Sequence, residues 1–421
     1  MTGSSQASKP GLNPIIIIGA LFFIFGFVTW LNALLIPYLE IACELTKFQS
    51  FFVTFAFYIA YLVMAPLSTK TLNVFGFKNG MSVALVVMAI GALLFIPAAI
   101  TRTYGLFLLG LFIMGSGLAI LQTASNPYIT IVGPPESAAK RISIMGICNK
   151  LAGAAAPIIL GLFLKLENAD KLKAEIANMS LADKATALDE MALNVITPYI
   201  GIITVLLVLA FWVYKSGLPE VDTDEEDEAI AASNAGKNSV FDFPHVILGV
   251  ITLFLYVGVE VIAGDSIISY GSSQGIPLST AKFFTTGTMV AMVVGYIIGI
   301  ITIPKYIKQE NALRLCAILG VLLSIGAIVT TGYVSVAFIA LLGLANALMW
   351  PAIWPLALAG VGRFTKAASS LLVMGIAGGA VIPLIYGALS DSFNSRDAYW
   401  IMVPCYLFIW FYAVKGSKIR S

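Results

Sequence analysis

Residues 153–161 read GAAAPIILG, and residues 379–387 read GAVIPLIYG. Both are apolar stretches that begin and end with glycine and carry proline at the same position. The copies lie 226 residues apart in a chain of 421, so the repeat predicts two related halves. A membrane fold that is built from such repeats holds its binding site near the bilayer midplane, at the interface between them.

The composition indicates a polytopic membrane protein. Hydrophobic residues make up 59% of the chain, charged residues only 11%, and the mean hydropathy is +0.94. Soluble domains carry about 25% charged residues, so no soluble fold of this length could bury so much apolar surface. The formal net charge of +2 gives no reason to expect a nucleic-acid partner.

Twelve apolar stretches are long enough to cross a bilayer, which takes about 20 helical residues. They cover residues 14–37, 50–68, 80–100, 104–132, 142–165, 194–214, 244–270, 280–303, 311–331, 333–360, 367–389 and 397–414. An even number places both termini on one side. With that side cytoplasmic, fifteen Lys and Arg lie inside and eight outside, while Lys150 lies within a span. This excess agrees with the positive-inside rule and predicts that both termini are cytoplasmic.

Two polar segments divide the pattern. Residues 166–193 are expected to form an external loop with helical propensity, and the acidic stretch within 216–243 a solvated cytoplasmic linker. We therefore predict an N-terminal six-helix bundle at 1–214, a linker at 215–243 and a C-terminal bundle at 244–421. The polar N-terminus lacks the form of a cleaved signal, so we expect the first span to be an uncleaved helix.

The sequence gives no sign of enzyme chemistry. It has one histidine and four scattered cysteines without CxxC spacing, so we expect no metal site, no disulfide and no cofactor. No nucleophile–base pair is evident either. The expected partners are a small ligand and the lipid bilayer, and the chain is expected to be a monomer.

Glu260 and Lys150 each interrupt a stretch that otherwise reads as a membrane span. An unpaired charge at bilayer depth costs roughly 3 kcal/mol on insertion scales, so such residues face a cavity or the bundle interior. A structural ion pair or a snorkelling lysine is the alternative. Asp265 is a further acid, nearer the far end of the seventh span.

Sparse amides and indoles in the spans predict a ligand site. The candidates are Trp30, Asn32, Gln122, Asn126, Asn149, Tyr256, Asn346, Trp350 and Trp354. Several share a helix face through a spacing of four. Amides both donate and accept hydrogen bonds, as sugar hydroxyls require, and an aromatic ring can pack on the apolar face of a pyranose. The set favours an uncharged polyhydroxyl ligand, although some amides could instead bond between helices.

Four stretches resemble the fucose:proton symporter family of the major facilitator superfamily. They are FFIFGFVTWLNALLIPYL (22–39), LQTASNPYITIVGP (121–134), YVGVEV (256–261) and GGAVIPLIYGALSD (378–391). The similarity covers nearly the whole chain, and the closest branch resembles bacterial glucose/galactose transporters, with motifs similar to Bacteroidetes sugar transporters. It implies an all-α fold of twelve transmembrane helices in two six-helix halves, and monosaccharide uptake coupled to an ion gradient.

The resemblance also implies roles for particular residues. The family's first helix usually reads Leu-Asn-Asp, but Ala33 replaces that aspartate here. Gln122 stands where fucose transporters carry glutamate and where the glucose/galactose branch carries glutamine. Asn149 matches a sugar-contacting asparagine, Glu260 matches a glutamate of that branch, and Lys150 replaces a small polar residue.

The missing aspartate leaves three forms of coupling open. Protons could bind Glu260 or Asp265, sodium could bind near these carboxylates and backbone carbonyls, or Lys150 could act as a fixed charge in a uniporter. We favour a cation-coupled hexose symporter, with Glu260 as the buried switch. In a regular α-helix Glu260 and Asp265 lie about 140° apart around the axis and do not share a face.

Other functions remain to be weighed against this one. An N-acetylated amino sugar is an alternative substrate. A non-transporting sugar sensor and an exporter of amphiphilic drugs are alternatives of other classes. The short tails disfavour the sensor, and the amide-rich candidate site disfavours the exporter.

Overall fold

The computed structural model describes residues 14–131, 138–218, 236–303 and 305–419. The described chain is helical. Its α-helices are Pro14–Trp30, Asn32–Ala42, Lys47–Ser50, Phe52–Leu93, Phe95–Ile100, Tyr104–Ile131, Ala138–Phe163, Leu166–Glu175, Leu181–Leu193, Ile196–Lys215, Pro244–Val261, Ile267–Ser273, Leu278–Thr302, Gln309–Val329, Gly332–Asn346, Met349–Leu358, Thr365–Gly375, Gly378–Ser392 and Met402–Val414.

Within these residues, twelve helical segments are long and apolar enough to cross a membrane. We number them spans 1 to 12. They cover Ile15–Ala42, Lys47–Ser68, Val74–Ile100, Tyr104–Ser125, Ile144–Phe163, Leu181–Lys215, Pro244–Ser273, Leu278–Thr302, Gln309–Val329, Gly332–Leu358, Ala367–Ser392 and Asp397–Lys418. Each predicted stretch coincides with one of them, so the all-α, twelve-span architecture is confirmed.

Some boundaries of the observed helices differ from the predicted ones, because two of the helical stretches are interrupted. Span 1 breaks after Trp30 and resumes at Asn32, and it continues to Ala42 rather than ending at residue 37. Spans 2 and 3 follow each other within Phe52–Leu93, where a kink at Gly76 separates two helices. The backbone there has a φ of +74°, a conformation that glycine adopts without a steric penalty.

The segment 166–193 is helical, as its sequence predicts. It forms Leu166–Glu175 and Leu181–Leu193, and the Ser180 hydroxyl caps the second helix by accepting from the Asp183 N–H at 3.2 Å. Of the predicted linker, residues 219–235 lie outside the described residues. The domain boundaries at 214 and 243 therefore stay a prediction.

Helix packing places an interface between spans 1–6 and spans 7–12. Span 1 packs on span 5, span 4 packs on spans 2 and 3, and span 7 packs on spans 10, 11 and 12. Between the halves, span 5 contacts span 8, span 2 contacts span 11, and span 1 contacts span 7. Glycine allows one of these approaches, because a Cβ at Gly379 would lie 3.0 Å from the Tyr58 ring.

Asp391 joins the halves at the end of the molecule opposite the termini, here called the distal end. Its carboxylate, at the end of span 11, accepts from the backbone N–H groups of Lys47 and Phe48 at 3.0 and 2.8 Å. These residues begin span 2, where helical N–H groups lack intrahelical partners. The Lys47 ammonium also donates to the Ser269 hydroxyl of span 7 at 3.0 Å.

Asp170 makes the corresponding contact with the roles of the halves exchanged, because its carboxylate belongs to the N-terminal half and the capped helix to the C-terminal half. It follows span 5 and accepts from the N–H groups of Leu278 and Ser279, at the start of span 8, at 2.7 and 3.1 Å. Nearby, Lys173 donates to the Ser272 hydroxyl at 2.7 Å, and burial lowers the pKa of the Lys173 ammonium. Each half thus caps a helix of the other, and these contacts hold the distal end closed.

Candidate functional site

A cavity of about 150 Å³ lies between the two halves. Spans 1, 2, 4 and 5 line it from one side, and spans 7, 8, 10 and 11 from the other. The lining includes seven residues that the sequence predicted for the site: Trp30, Gln122, Asn149, Lys150, Tyr256, Glu260 and Trp350. Residues far apart in the sequence therefore meet at one place.

Lys150 and Glu260 form an ion pair across the interface. The Lys150 Nζ lies 2.6 Å from a Glu260 carboxylate oxygen, and the two side chains are only 9% and 12% exposed. Lys150 belongs to span 5 and Glu260 to span 7, so the pair links the halves. The Lys150 Nζ also lies 4.6 Å from the centre of the Trp30 ring, within the range of a cation–π contact. The two charges compensate each other inside the cavity.

Trp30 is wedged between spans 5 and 7. A Cβ at Gly153 would lie 2.3 Å from its ring, and one at Gly264 would lie 2.0 Å from it, so neither position admits a larger residue without movement. The ring is 2% exposed, and its Nε1 has no hydrogen-bond partner among the described residues. The two glycines thus fix the indole against the wall of the cavity.

Gln122 and Asn149 are buried amides that protein groups orient. The Gln122 Nε2 donates to the Tyr61 hydroxyl at 2.5 Å, and the Asn149 Nδ2 lies 3.5 Å from the Phe22 carbonyl oxygen. The second distance is at the limit of a hydrogen bond. An amide has two donors and two acceptor sites. Each side chain therefore retains capacity to bind a ligand hydroxyl.

The aromatic lining centres on Trp350. Its ring stacks on Trp354 with centroids 5.4 Å apart and lies 6.4 Å from the Tyr256 ring. Trp350 and Tyr256 line the cavity, whereas Trp354 does not and supports Trp350 from behind. The two tryptophans, which the sequence treated as equivalent, have different positions.

Of three other predicted residues, two do not line the cavity, and the side chain of the third lies outside the described residues. Asn32 is fully buried, and neither end of its amide has a hydrogen-bond partner within the described chain. The Asn346 Oδ1 accepts from the Tyr406 hydroxyl of span 12 at 2.8 Å, which is a contact between helices. The side chain of Asn126 lies outside the described residues.

Span 7 is not a regular α-helix at Asp265. Residues Ile262–Ser266 form a π-helix, in which hydrogen bonds run from i to i+5 and a turn takes more residues. Each residue of a π-helix rotates less around the helix axis than a residue of an α-helix. Asp265 therefore lies closer to the helix face of Glu260 than it would in a regular α-helix. The expected separation of about 140° assumed an uninterrupted helix, and the local apolar pattern contains no sign of the change.

Besides Tyr256, three tyrosines and a threonine line the cavity that were not predicted from the sequence. Tyr58 and Tyr61 on span 2 have ring centroids 6.2 Å apart, and Tyr296 comes from span 8. Thr29 lies beside Trp30. The spacing of three between Tyr58 and Tyr61 was a usable signal, since it places two hydroxyls on one helix face within an apolar span.

Comparisons with known proteins agree with this architecture. A family model described as Major Facilitator Superfamily matches residues 18–375. A glucose/galactose transporter of Brucella abortus is 35% identical over 405 residues, which cover 94% of this chain and 92% of that protein. An L-fucose-proton symporter of Escherichia coli is 29% identical over 420 residues, covering 98% and 95%.

Solved structures give the same result. The crystal structure of the major facilitator transporter FucP in the outward conformation has a TM-score of 0.71 and 28% identity, covering 96% of this chain and 98% of that one. A D-xylose-proton symporter has a TM-score of 0.69 at 17% identity, covering 96% and 98%, which is a likeness of fold alone.

Proposed function

The chain belongs to the major facilitator superfamily, and we propose that it imports a neutral hexose of the glucose or galactose type together with a cation. Import proceeds by alternating access, in which the two halves rock around the cavity between them. The relatives described above are named as transporters, and enzyme chemistry forms no part of this function.

The composition of the cavity carries the proposal. The two charged groups that line it, Lys150 and Glu260, are paired with each other at 2.6 Å, so the cavity has no net charge to offer an ionic ligand. What remains for a ligand is the two amides and the aromatic rings. That combination fits an uncharged sugar, and the similarity to the Brucella abortus glucose/galactose transporter supports a hexose.

The ion pair bears on coupling as well. Lys150, which lies 2.6 Å from the Glu260 carboxylate, occupies the place that a coupling cation would take. This arrangement would allow uniport, while the proton symport named for the Escherichia coli relative supports coupling. We place the coupling in the region of Glu260, Lys150 and Asp265.

The orientation follows from the distribution of basic residues. We propose a multi-pass protein of a bacterial inner membrane with both termini in the cytoplasm. The distal end, which is closed here, then faces outward. The same proposal includes a monomer as the functional unit, because each chain contains both halves of the cavity.

Counterflow in proteoliposomes tests the substrate. Vesicles that contain the purified chain and unlabelled sugar should take up labelled glucose or galactose, and mannose and N-acetylglucosamine more slowly. Asp189→Asn is a suitable control, because Asp189 is an exposed residue that does not line the cavity and pairs with Arg102. Exchange of N-acetylglucosamine alone would change the substrate to an amino sugar. Exchange of none of the four sugars would refute hexose transport.

A further inference from the structure

Asp265 is a buried acid to which the structure assigns no compensating partner. None of its surface is exposed. Within the described residues, neither carboxylate oxygen has a hydrogen-bond partner, and the recorded ion pairs do not include it. A buried carboxylate without partners is strongly unfavourable when ionised, so the group takes up a proton instead.

The nearest charges do not provide the missing compensation. Glu260, on the same span, and Lys150, on span 5, are the charged groups whose field reaches Asp265. They are already paired with each other, so their fields oppose at Asp265. The Tyr58 hydroxyl of span 2 is a titratable group that interacts electrostatically with the Asp265 carboxylate. Lys150 and Glu260 neutralise each other, so within this cluster a bound proton is what neutralises Asp265.

The local backbone also disfavours a metal cation. The π-helix disturbs the hydrogen-bond ladder around Ala263 and Gly264, but their carbonyl oxygens already accept from Thr288 and Thr285 at 3.2 and 2.8 Å. A sodium ion at Asp265 would require several oxygen ligands, and each of these carbonyl oxygens already uses one of its two acceptor sites. A proton requires none. π-Helices inside α-helices are frequent at functional sites, which agrees with a role for this segment.

We propose that the Asp265 carboxylate is the binding site for the coupled ion, and that this ion is a proton. The inference rests on the proposed hexose import and names its coupling ion and carrier. It replaces Glu260, which the sequence favoured as the switch, by an acid one turn farther along span 7. One O–H bond forms on the carboxylate when a proton arrives from water, and the same bond breaks when the proton returns to water on the other side.

Asp265 is enclosed in this structure, and movement of the two halves would give it access from two directions in turn. Val261, one turn before Asp265, lines the cavity. On the distal side, Ser269 and Ser272 of span 7 are held by Lys47 and Lys173 of the other half. When the distal end opens, these contacts separate and water reaches that part of span 7. In the closed arrangement the proton is enclosed with the sugar.

Infrared difference spectroscopy tests the protonation state without any transport. The purified full chain in lipid nanodiscs should show the C=O band of a protonated carboxyl group at neutral pH. That band should be lost in Asp265→Asn and kept in both Glu260→Gln and Asp189→Asn. A wild-type spectrum without it, or a band that disappears in Glu260→Gln instead, would overturn the assignment.

Proteoliposomes that enclose a pH-sensitive dye test the coupling. Addition of external hexose to wild type should acidify the interior, equally in sodium and in choline buffers. Asp265→Asn should lose this acidification and the ability to accumulate sugar above equilibrium. It should still exchange labelled for unlabelled sugar, because the neutral amide resembles the protonated acid and exchange needs no net proton movement. Asp189→Asn should match wild type.

The outcomes separate the two proposals. Wild-type exchange without proton movement, exchange that requires sodium, or acidification by Asp265→Asn would refute the proton site and leave hexose transport standing. If the wild type exchanges no hexose, the transport proposal fails. The infrared band then still decides whether Asp265 is a protonated acid.

Discussion

At the scale of single residues, Lys150 and Glu260 show how a membrane cavity can hold two charges and remain neutral. Either residue alone would oppose membrane insertion. Together they form a 2.6 Å pair, with Trp30 covering the ammonium group. The sequence left open whether they meet, and the structure answers that they do. Removing one partner then leaves the other charge buried without compensation.

A double-mutant cycle tests this dependence. Glu260→Gln should lower the free energy of unfolding by about 3 kcal/mol, since it strands the Lys150 charge. The combined change with Lys150→Met should recover most of that loss. Thermal or denaturant unfolding in nanodiscs measures both. Additive losses in the double variant would mean that the two residues do not depend on each other.

The buried amides lead to a second prediction at this scale. Gln122→Ala or Asn149→Ala should lower hexose affinity at least tenfold, because each amide should lose about two hydrogen bonds of roughly 0.5–1.5 kcal/mol. Calorimetry on the purified protein measures the change. Tyr61→Phe is the matched control for the Gln122–Tyr61 contact, since it removes the hydroxyl and keeps the ring. Unchanged affinity in both alanine variants would remove the amides from the site.

Trp350 and Trp354 should respond differently to substitution. Trp350→Ala should reduce hexose uptake several-fold, with partial recovery in Trp350→Phe, because this ring lines the cavity. Trp354→Ala should have a smaller effect, since its ring supports Trp350 from behind. Initial uptake rates, corrected for the amount of protein, provide the comparison. Equal losses in the two alanine variants would contradict the placement of the rings.

At the scale of helices, Asp391 and Asp170 form a reciprocal pair of caps. Each carboxylate follows the fifth span of one half and binds the first N–H groups of the second span of the other half. The unpaired N–H groups and the helix dipole both favour an anion at that position. The sequence repeat thus has a structural counterpart, because the same type of contact occurs twice at the distal end.

Loss of one cap should shift the equilibrium toward the open distal end. Asp391→Asn should remove about 1 kcal/mol from the closed state, or roughly a fivefold change in population. Spin labels at Glu44 and Phe393, exposed residues at the distal ends of the two halves, would report a greater share of long distances. Asp189→Asn is the surface control. An unchanged distance distribution would show that the cap does not hold the gate.

At the level of the complete protein, the main features of the candidate site lie at the interface between the halves. The cavity, the ion pair and the wedged Trp30 lie between the halves, and the caps close one end of the same interface. Rocking of the halves would change access to the cavity while leaving each bundle intact. The direction of import then depends on which side of the membrane the distal end faces.

Accessibility labelling tests that orientation. A cysteine at Leu181, which is 88% exposed in the helical segment 166–193, should react with a membrane-impermeant maleimide on intact cells. A cysteine at Lys418, near the C-terminus, should react only after the membrane is permeabilised. The four native cysteines are replaced beforehand. The reverse pattern would place the termini outside and invert the proposed topology.

Much of the fold followed from the sequence, because a membrane span is a local property. About 20 apolar residues in a row identify a helix wherever its neighbours lie. The same reasoning singled out Lys150 and Glu260, since a charge stands out in an apolar stretch. The amides Gln122 and Asn149 were visible for the same reason, and the repeat at 153–161 and 379–387 indicated an interface between halves.

The tertiary structure alone decided which of these groups meet. Lys150 and Glu260 are 110 residues apart, and no local pattern relates them. Asp170 and Asp391 follow membrane spans in polar surroundings, where acids are common, so their role as caps becomes visible only beside the helices that they bind. The π-helix at Asp265 likewise becomes visible only in the structure, because the apolar pattern around it is the same as that of a regular helix. Sequence therefore determined what enters the membrane, and distance in three dimensions determined how the charges there are compensated.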